Sequence, residues 1–253
     1  MYASRLASMP GVAMLPALGL PPEAPSLDAL FAAQPTESLA PGAALFWEGD
    51  AADYFYRVSE GCLRLYRILP DGRRAIMGFV FGGEMVGLSC LDMHRYTAEA
   101  VTAVRVRRLS RSRLHAMGEG AGELQRLLFT RLFEEMMAAH RHIIVLGQMG
   151  AEERVAHFLA SAACRTRADR KRPVVLDLPM TRLDIADYLG LTIETVCRIL
   201  SKFKRDGLIA LEGRHRVILR SLRTLQEIAG EPDGFDAGDI REGRARHLAV
   251  EAH

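Results

Sequence analysis

The chain has 253 residues, 49% of them hydrophobic and 25% charged, and a net charge of +2. That balance excludes a wholly disordered chain and leaves material for two domains, the larger with a substantial buried core. The four cysteines, Cys62, Cys90, Cys164 and Cys197, are widely spread, with no CxxC pair or Cys/His cluster, which argues against both a metal site and a disulfide framework.

In chain order, residues 1–35 are rich in Ala, Leu and Pro, with Pro10, Pro16, Pro21, Pro22 and Pro25 interrupting any regular element. They read as a flexible N-terminal arm, and the same prolines break the apolar run after Arg5 that a signal peptide would need. No later stretch offers about 18 uninterrupted apolar residues, so no membrane span is expected and the compartment implied is the cytoplasm. Residues 36–121 change to short β-type runs punctuated by Pro41-Gly42, Gly49-Asp50, Glu60-Gly61, Asp71-Gly72 and Gly82-Gly83. That spacing suits a roll of antiparallel strands, with Asp71-Gly72 as a hairpin turn.

Residues 122–150 read as one long helix followed by a hinge at Gly147 and Gly150. Leu124, Leu128, Leu132, Met136, Ala139, Ile143 and Leu146 advance by threes and fours, close to a two-stranded coiled-coil period. A helix packed only on its own roll is the plainer alternative. Glu152 to Cys164 reads as a further amphipathic helix, 166–172 as an exposed basic loop, and Val174 to Leu178 as a strand.

Thr181 to Gly207 then reads as two helices joined by a tight turn. Thr181 caps the first, with Asp184 as the reciprocal partner of a capping box, and Gly190 supplies the φ > 0 position at its end. Thr192 caps the second, whose Val196, Ile199, Leu200 and Phe203 form one apolar stripe. The other side carries Ile193, Glu194, Cys197, Arg198, Ser201, Lys202 and Arg205. That mix of acceptor, donor and cation suits a DNA major groove, where Arg pairs with guanine and Glu accepts from cytosine. An ordinary helix pair with a solvated charged side has the same spacing.

Two short strands around Gly213 follow, and a helix-turn-helix with a basic hairpin is a winged DNA-binding module. Arg214, His215 and Arg216 of the wing, with Arg182 and Lys202, are the expected phosphate contacts. Charge agrees with this placement: residues 151–230 carry 15 Lys and Arg against 10 Asp and Glu, whereas residues 1–150 are balanced. The final stretch, 231–253, is acidic and reads as a disordered tail.

The run LTIETVCRILSKFKRDGLI, Leu191 to Ile209, resembles the CRP/FNR superfamily of bacterial transcription regulators, and the β-rich region resembles that superfamily's cyclic-nucleotide-binding roll. The resemblance covers residues 36 to about 225. It implies an α+β protein with an N-terminal β-roll, a long dimerisation helix and a C-terminal winged helix-turn-helix, acting on double-stranded DNA as a homodimer and working with RNA polymerase. It implies no enzymatic activity. Glu194, three residues and then Arg198 is the arrangement of the FNR/FixK branch, with Ile193 where the cyclic-AMP receptor branch has a further base-reading Arg. A TTGA-type inverted repeat is the implied site, and control of low-oxygen respiration or nitrogen metabolism the implied role.

Departures from the superfamily's sensors narrow the effector. Leu88 stands where nucleotide binders carry an acid, and Tyr96-Thr97-Ala98 replaces an Arg-Ser/Thr-Ala triplet, with Arg95 one residue early and so on the opposite strand face. A cyclic nucleotide is therefore not expected, and Glu84 and Thr97 read as structural. A cyclic-nucleotide-gated regulatory protein is the alternative. An iron–sulfur cluster needs four thiolates, and residues 1–61 contain no cysteine. No cofactor is expected; Cys90 and His94 are isolated candidates for haem or catalysis. Cys197, beside Arg198 on the groove-facing side, is the expected redox-sensitive position, because oxidation adds bulk and negative charge opposite phosphate.

Overall fold

A computed structural model describes residues 27–89, 91–112, 122–165 and 173–230; most of the N-terminal arm, Cys90, the basic loop and the acidic tail lie outside them. Eight strands form the roll. They are β1 (Thr36–Leu39), β2 (Ala44–Phe46), β3 (Tyr54–Glu60), β4 (Cys62–Ile68), β5 (Arg74–Phe81), β6 (Met85–Val86), β7 (Thr97–Ala100) and β8 (Val104–Ser110). Two antiparallel sheets, ordered β1-β8-β3-β6 and β2-β7-β4-β5, enclose Phe46, Val58, Leu63, Val80, Ala98 and Val106. Gly61 makes the sharp turn between β3 and β4 at φ 89°, where a Cβ would lie 2.3 Å from the Ala103 carbonyl oxygen. The expected hairpin at Asp71-Gly72 is present, with the Leu69 N–H donating to the Arg73 carbonyl at 2.8 Å.

The expected flexible arm ends earlier than residue 35. Helix α1 (Leu27–Ala32) places Leu27 and Phe31, four residues apart, on one face against Phe55, Leu109 and Leu128. Burial of that apolar pair is what holds the short helix, and Arg57 and Asp28 form an ion pair beside it.

Helix α2 (Gly122–Gln148) is the long helix read from the sequence. Met136, Ile143 and Leu146 of the expected seam face outward, but nearer the N-terminus Phe129 and Phe133 take the outward row in place of Leu128 and Leu132. Leu128 packs into the roll and Leu132 is half-buried, while Phe129, Phe133, Met136 and Ile143 stay 74%, 51%, 44% and 65% exposed. Leu128 turns inward because α1 and β8 offer it an apolar socket. The side chain of Leu124 lies outside the described part.

Gly147 sits in the last turn of α2, and Gly150 precedes α3 (Ala151–Arg165), its N–H donating to Glu153 at 2.6 Å. The Arg154 guanidinium spans this corner. It donates to the Leu146 carbonyl at 2.8 Å, the Met149 carbonyl at 2.9 Å and the Leu189 carbonyl at 3.0 Å. Carbonyls that helix ends leave unpaired are thus satisfied by one side chain.

The C-terminal module contains β9 (Val174–Asp177), α4 (Arg182–Leu189), α5 (Ile193–Arg205), β10 (Ile209–Glu212), β11 (Arg216–Leu219) and α6 (Leu222–Ile228). The expected wing hairpin gains β9 as a third strand, in the order β10-β11-β9. Val155, Leu159, Ile185, Leu189, Val196, Phe203, Ile209 and Val217 share one core, which also takes in Tyr66, Ile76 and Phe79 of the roll.

Roll and module meet around Asp184, which is 1% exposed. Arg64 of β4 donates to it at 3.0 Å and Arg74 of β5 at 2.7 Å, while the other carboxylate oxygen accepts from the Thr181 N–H and hydroxyl at 2.9 and 2.7 Å. Glu99 completes the network, accepting from Arg64 at 2.5 Å and from the Tyr66 hydroxyl at 2.9 Å. Tyr188 adds an aromatic joint, stacked on His142 of α2 at 4.1 Å and edge-on to Phe79 and Phe158. Removing one member of a buried charge cluster leaves the others unpaired, at about 3 kcal/mol. Asp184→Ala is accordingly expected to lower unfolding free energy in urea by about that amount, whereas Arg67→Ala, which breaks a surface pair with Glu48, stays within about 1 kcal/mol.

Candidate nucleic-acid interface

The second helix of the module is positioned by its own caps. Thr181 and Asp184 form the full capping box on α4, and Gly190 adopts the left-handed conformation at φ 62°. The turn closes as the Leu191 N–H donates to the Ala186 carbonyl at 3.0 Å. Thr192 caps α5, its hydroxyl accepting from the Thr195 N–H at 3.2 Å. Val196, Ile199, Leu200 and Phe203 are all buried, as their spacing requires.

Burial of that stripe forces the opposite side outward. Thr192, Ile193, Glu194, Cys197, Arg198, Ser201 and Arg205 are exposed and Lys202 is half-buried, so the expected polar side exists as one continuous surface. A helix of this width enters a major groove without rearranging the backbone. Arg198 has no ion pair among the described residues and keeps its guanidinium fork available. Glu194 is ionised: its own backbone N–H and the Thr192 hydroxyl hold its carboxyl below the usual range.

Other expected contacts are engaged elsewhere in the free protein. Lys202 Nζ sits 2.6 and 2.7 Å from the two Glu152 oxygens of α3. Arg182 is half-buried, donates to the Arg214 carbonyl at 3.4 Å and has its pKa lowered by burial. On the wing, the His215 ring bonds to the Leu178 carbonyl at 3.0 Å, and Arg216 lies 3.5 Å from Asp177 and 3.7 Å from Glu212. Arg214 is exposed at the wing tip. Pairs such as Lys202–Glu152 join positions 50 residues apart and leave no local pattern in the sequence.

In the roll, Glu84 accepts from the Phe81 N–H at 2.9 Å and Thr97 from the Glu48 N–H at 3.0 Å, the structural duties expected of both. The residues present do not fit a cyclic nucleotide. Leu88 packs with the apolar cluster around Phe31 and Phe55, Arg95 is exposed, and the interior is taken by Phe46 stacked 3.6 Å from His94, with Tyr56 and Tyr96 alongside. His94 is 2% exposed, and burial lowers its pKa. Cys90, its expected partner in a haem or catalytic pair, lies outside the described residues. Cys62 is buried in the shared core, its thiol pushed up to about 12 by burial and so held protonated. Among the described residues no three His, Cys, Asp or Glu side chains converge on a metal position, and no helix is long and apolar enough to cross a membrane.

A roll, a connecting helix and a winged helix-turn-helix, in that order, are the architecture of a DNA-binding regulator, and comparison with known proteins agrees. Residues 36–119 match the cyclic nucleotide-binding domain family and residues 153–228 the Crp-like helix-turn-helix domain family. The nitrogen fixation regulation protein FixK of Bradyrhizobium diazoefficiens is 40% identical over 170 residues, covering 67% of this chain and 72% of that protein. The transcriptional activator FnrL of Cereibacter sphaeroides is 35% identical over 201 residues, covering 78% and 80%. Among solved structures, FixK2 from Bradyrhizobium japonicum superposes with a TM-score of 0.72 at 35% identity, over 77% of this chain and 96% of that one. The chain belongs to the CRP/FNR superfamily of DNA-binding transcription regulators, in its FixK-like branch. It is not an enzyme.

Proposed function

We propose that the protein is a cytoplasmic homodimeric activator that reads a TTGA-type inverted repeat with the outward side of α5 and works with RNA polymerase. The observation that carries the base-reading role is Arg198, exposed and without an ion pair among the described residues, one helical turn from ionised Glu194. Arg serves a guanine and Glu a cytosine, with Ile193, Cys197 and Ser201 filling the same groove and Thr192 at its entry. Lys202, Arg182 and Arg214 hold phosphates. The relatives' names, nitrogen fixation regulators and transcriptional activators, support target genes in nitrogen metabolism or low-oxygen respiration. No cyclic nucleotide takes part.

Dimerisation follows from α2. Phe129, Phe133, Met136 and Ile143 recur at three-, four- and seven-residue steps on an exposed side, an apolar strip that a second copy covers in coiled-coil fashion. A two-fold pair sets its recognition helices about 34 Å apart, one turn of DNA, and so reads two half-sites.

Cys197 is the redox-sensitive position of this surface. It is exposed and directly precedes Arg198, so a sulfenate or sulfinate there adds bulk and negative charge opposite the phosphates.

Selection of bound duplexes from a random pool tests the reading directly. Arg198→Ala is expected to lose about 1–3 kcal/mol at the selected site and to flatten preference at one base pair, whereas Lys202→Ala weakens all DNA alike and lowers the salt slope by about one. An unchanged preference for Arg198→Ala contradicts the base-reading role. Phe133→Glu puts a charge in the apolar strip and is expected to sediment as a monomer; a dimer of unchanged stability removes α2 as the interface. Peroxide is expected to weaken operator binding of the parent and spare Cys197→Ser, and equal loss in both excludes this thiol.

A further inference from the structure

Away from the surface just described, the junction between the roll and the module holds a partly open cavity of about 170 Å³. Its walls are aromatic: Phe79 and Phe81 come from β5, Phe158 from α3 and Tyr188 from α4. Leu178 and Met180, each 2% exposed, line it as well. The polar groups are few. His157 and Ser161 of α3 bond to each other at 3.3 Å, Asp177 lies near Arg216, and Arg165 is the cation. Arg165 Nη1 donates to the Phe79 carbonyl at 3.2 Å, its guanidinium lies 5.7 Å from the Phe81 ring centre, and Glu84 is 4.0 Å away.

We propose that this cavity is a binding site for a small molecule with one aromatic ring and one carboxylate. The size fits: an apolar cavity of about 150 Å³ takes up benzene, whereas a lone water there finds few partners. The walls fit, since Phe79 and Phe158 already meet Tyr188 edge-on at 5.6 and 6.1 Å, and a further ring extends the same arrangement. The polar end fits because a guanidinium carries five donors in a fork, more than the Phe79 carbonyl uses, and a carboxylate accepts two of them side by side. An occupant touches β5, α3 and α4 at once and so braces the roll against the module. The site does not depend on the DNA-binding role and is read without DNA.

The full-length protein is titrated with benzoate and phenylacetate, with benzyl alcohol as the uncharged ring and cyclohexanecarboxylate as the carboxylate without a π-face. Saturable binding of one aromatic acid per chain is expected, with both controls weaker by about tenfold. Location is read in protein labelled at methionine methyls: the Met180 signal, assigned through Met180→Leu, moves on adding benzoate while distant methionines stay. Arg165→Met is expected to bind benzoate about tenfold more weakly and benzyl alcohol as before. Ala162→Phe and Ser161→Leu, each checked for an unchanged melting curve, fill the space and abolish binding. Absence of saturable binding, a stationary Met180 signal, or a folded filling variant that binds benzoate like the parent overturns the proposal.

Discussion

The arrangement of this molecule turns on one buried carboxylate. Asp184 closes the first turn of α4 through Thr181, and the same group receives Arg64 and Arg74 from the roll. Two guanidinium groups and a carboxylate largely taken out of water are tolerable only when they find partners: Glu99 accepts from Arg64 and Asp187 from Arg74, while Arg64 Nε is left buried without an acceptor. Charged clusters of this kind add little net stability compared with apolar packing, but they admit few alternative arrangements. The N-terminus of α4 therefore has one seat on the roll. Because α4 and α5 share a core, that seat also sets the direction in which the polar side of α5 points.

Much of the module was legible in the sequence because its signals are local. A cap and its partner lie three residues apart, an apolar stripe repeats within two turns, and Gly190 marks a backbone conformation that other residues avoid. The long helix was legible for the same reason, and its exposed row departs from the expected one only towards the N-terminus, at Leu128 and Leu132. Period alone does not say which of two adjacent rows, Leu128–Leu132 or Phe129–Phe133, the roll has claimed. Helix α1 was hidden among prolines and is held by contacts with β3 and β8. The least visible features were the long-range polar ones: Arg64 and Asp184 are 120 residues apart, and nothing around either points to the other. Asp184 was readable as a cap, and its second duty was not.

Electrostatics on the DNA-facing side divide into two groups. Arg198, Arg205 and Arg214 have no ion pair among the described residues, whereas Lys202 and Arg216 are held by carboxylates of the same module. The first group acts without prior rearrangement. On the proposed reading the second exchanges an internal partner for a phosphate, so part of its attraction to DNA is cancelled by what it leaves behind. Such exchange tempers affinity for arbitrary sequence and leaves base-edge contacts a larger share of the discrimination.

The strap at Arg154 has a mechanical meaning. With its donors on Leu146, Met149 and Leu189, the end of α2 and the turn between α4 and α5 move as a single piece. A helix of 27 residues is about 40 Å long, so a tilt of about 5° at its far end sweeps the near end through about 3.5 Å. That sweep compares with the 3.4 Å rise of one base pair, about the spacing by which a lever must miss its mark to lose its register on DNA.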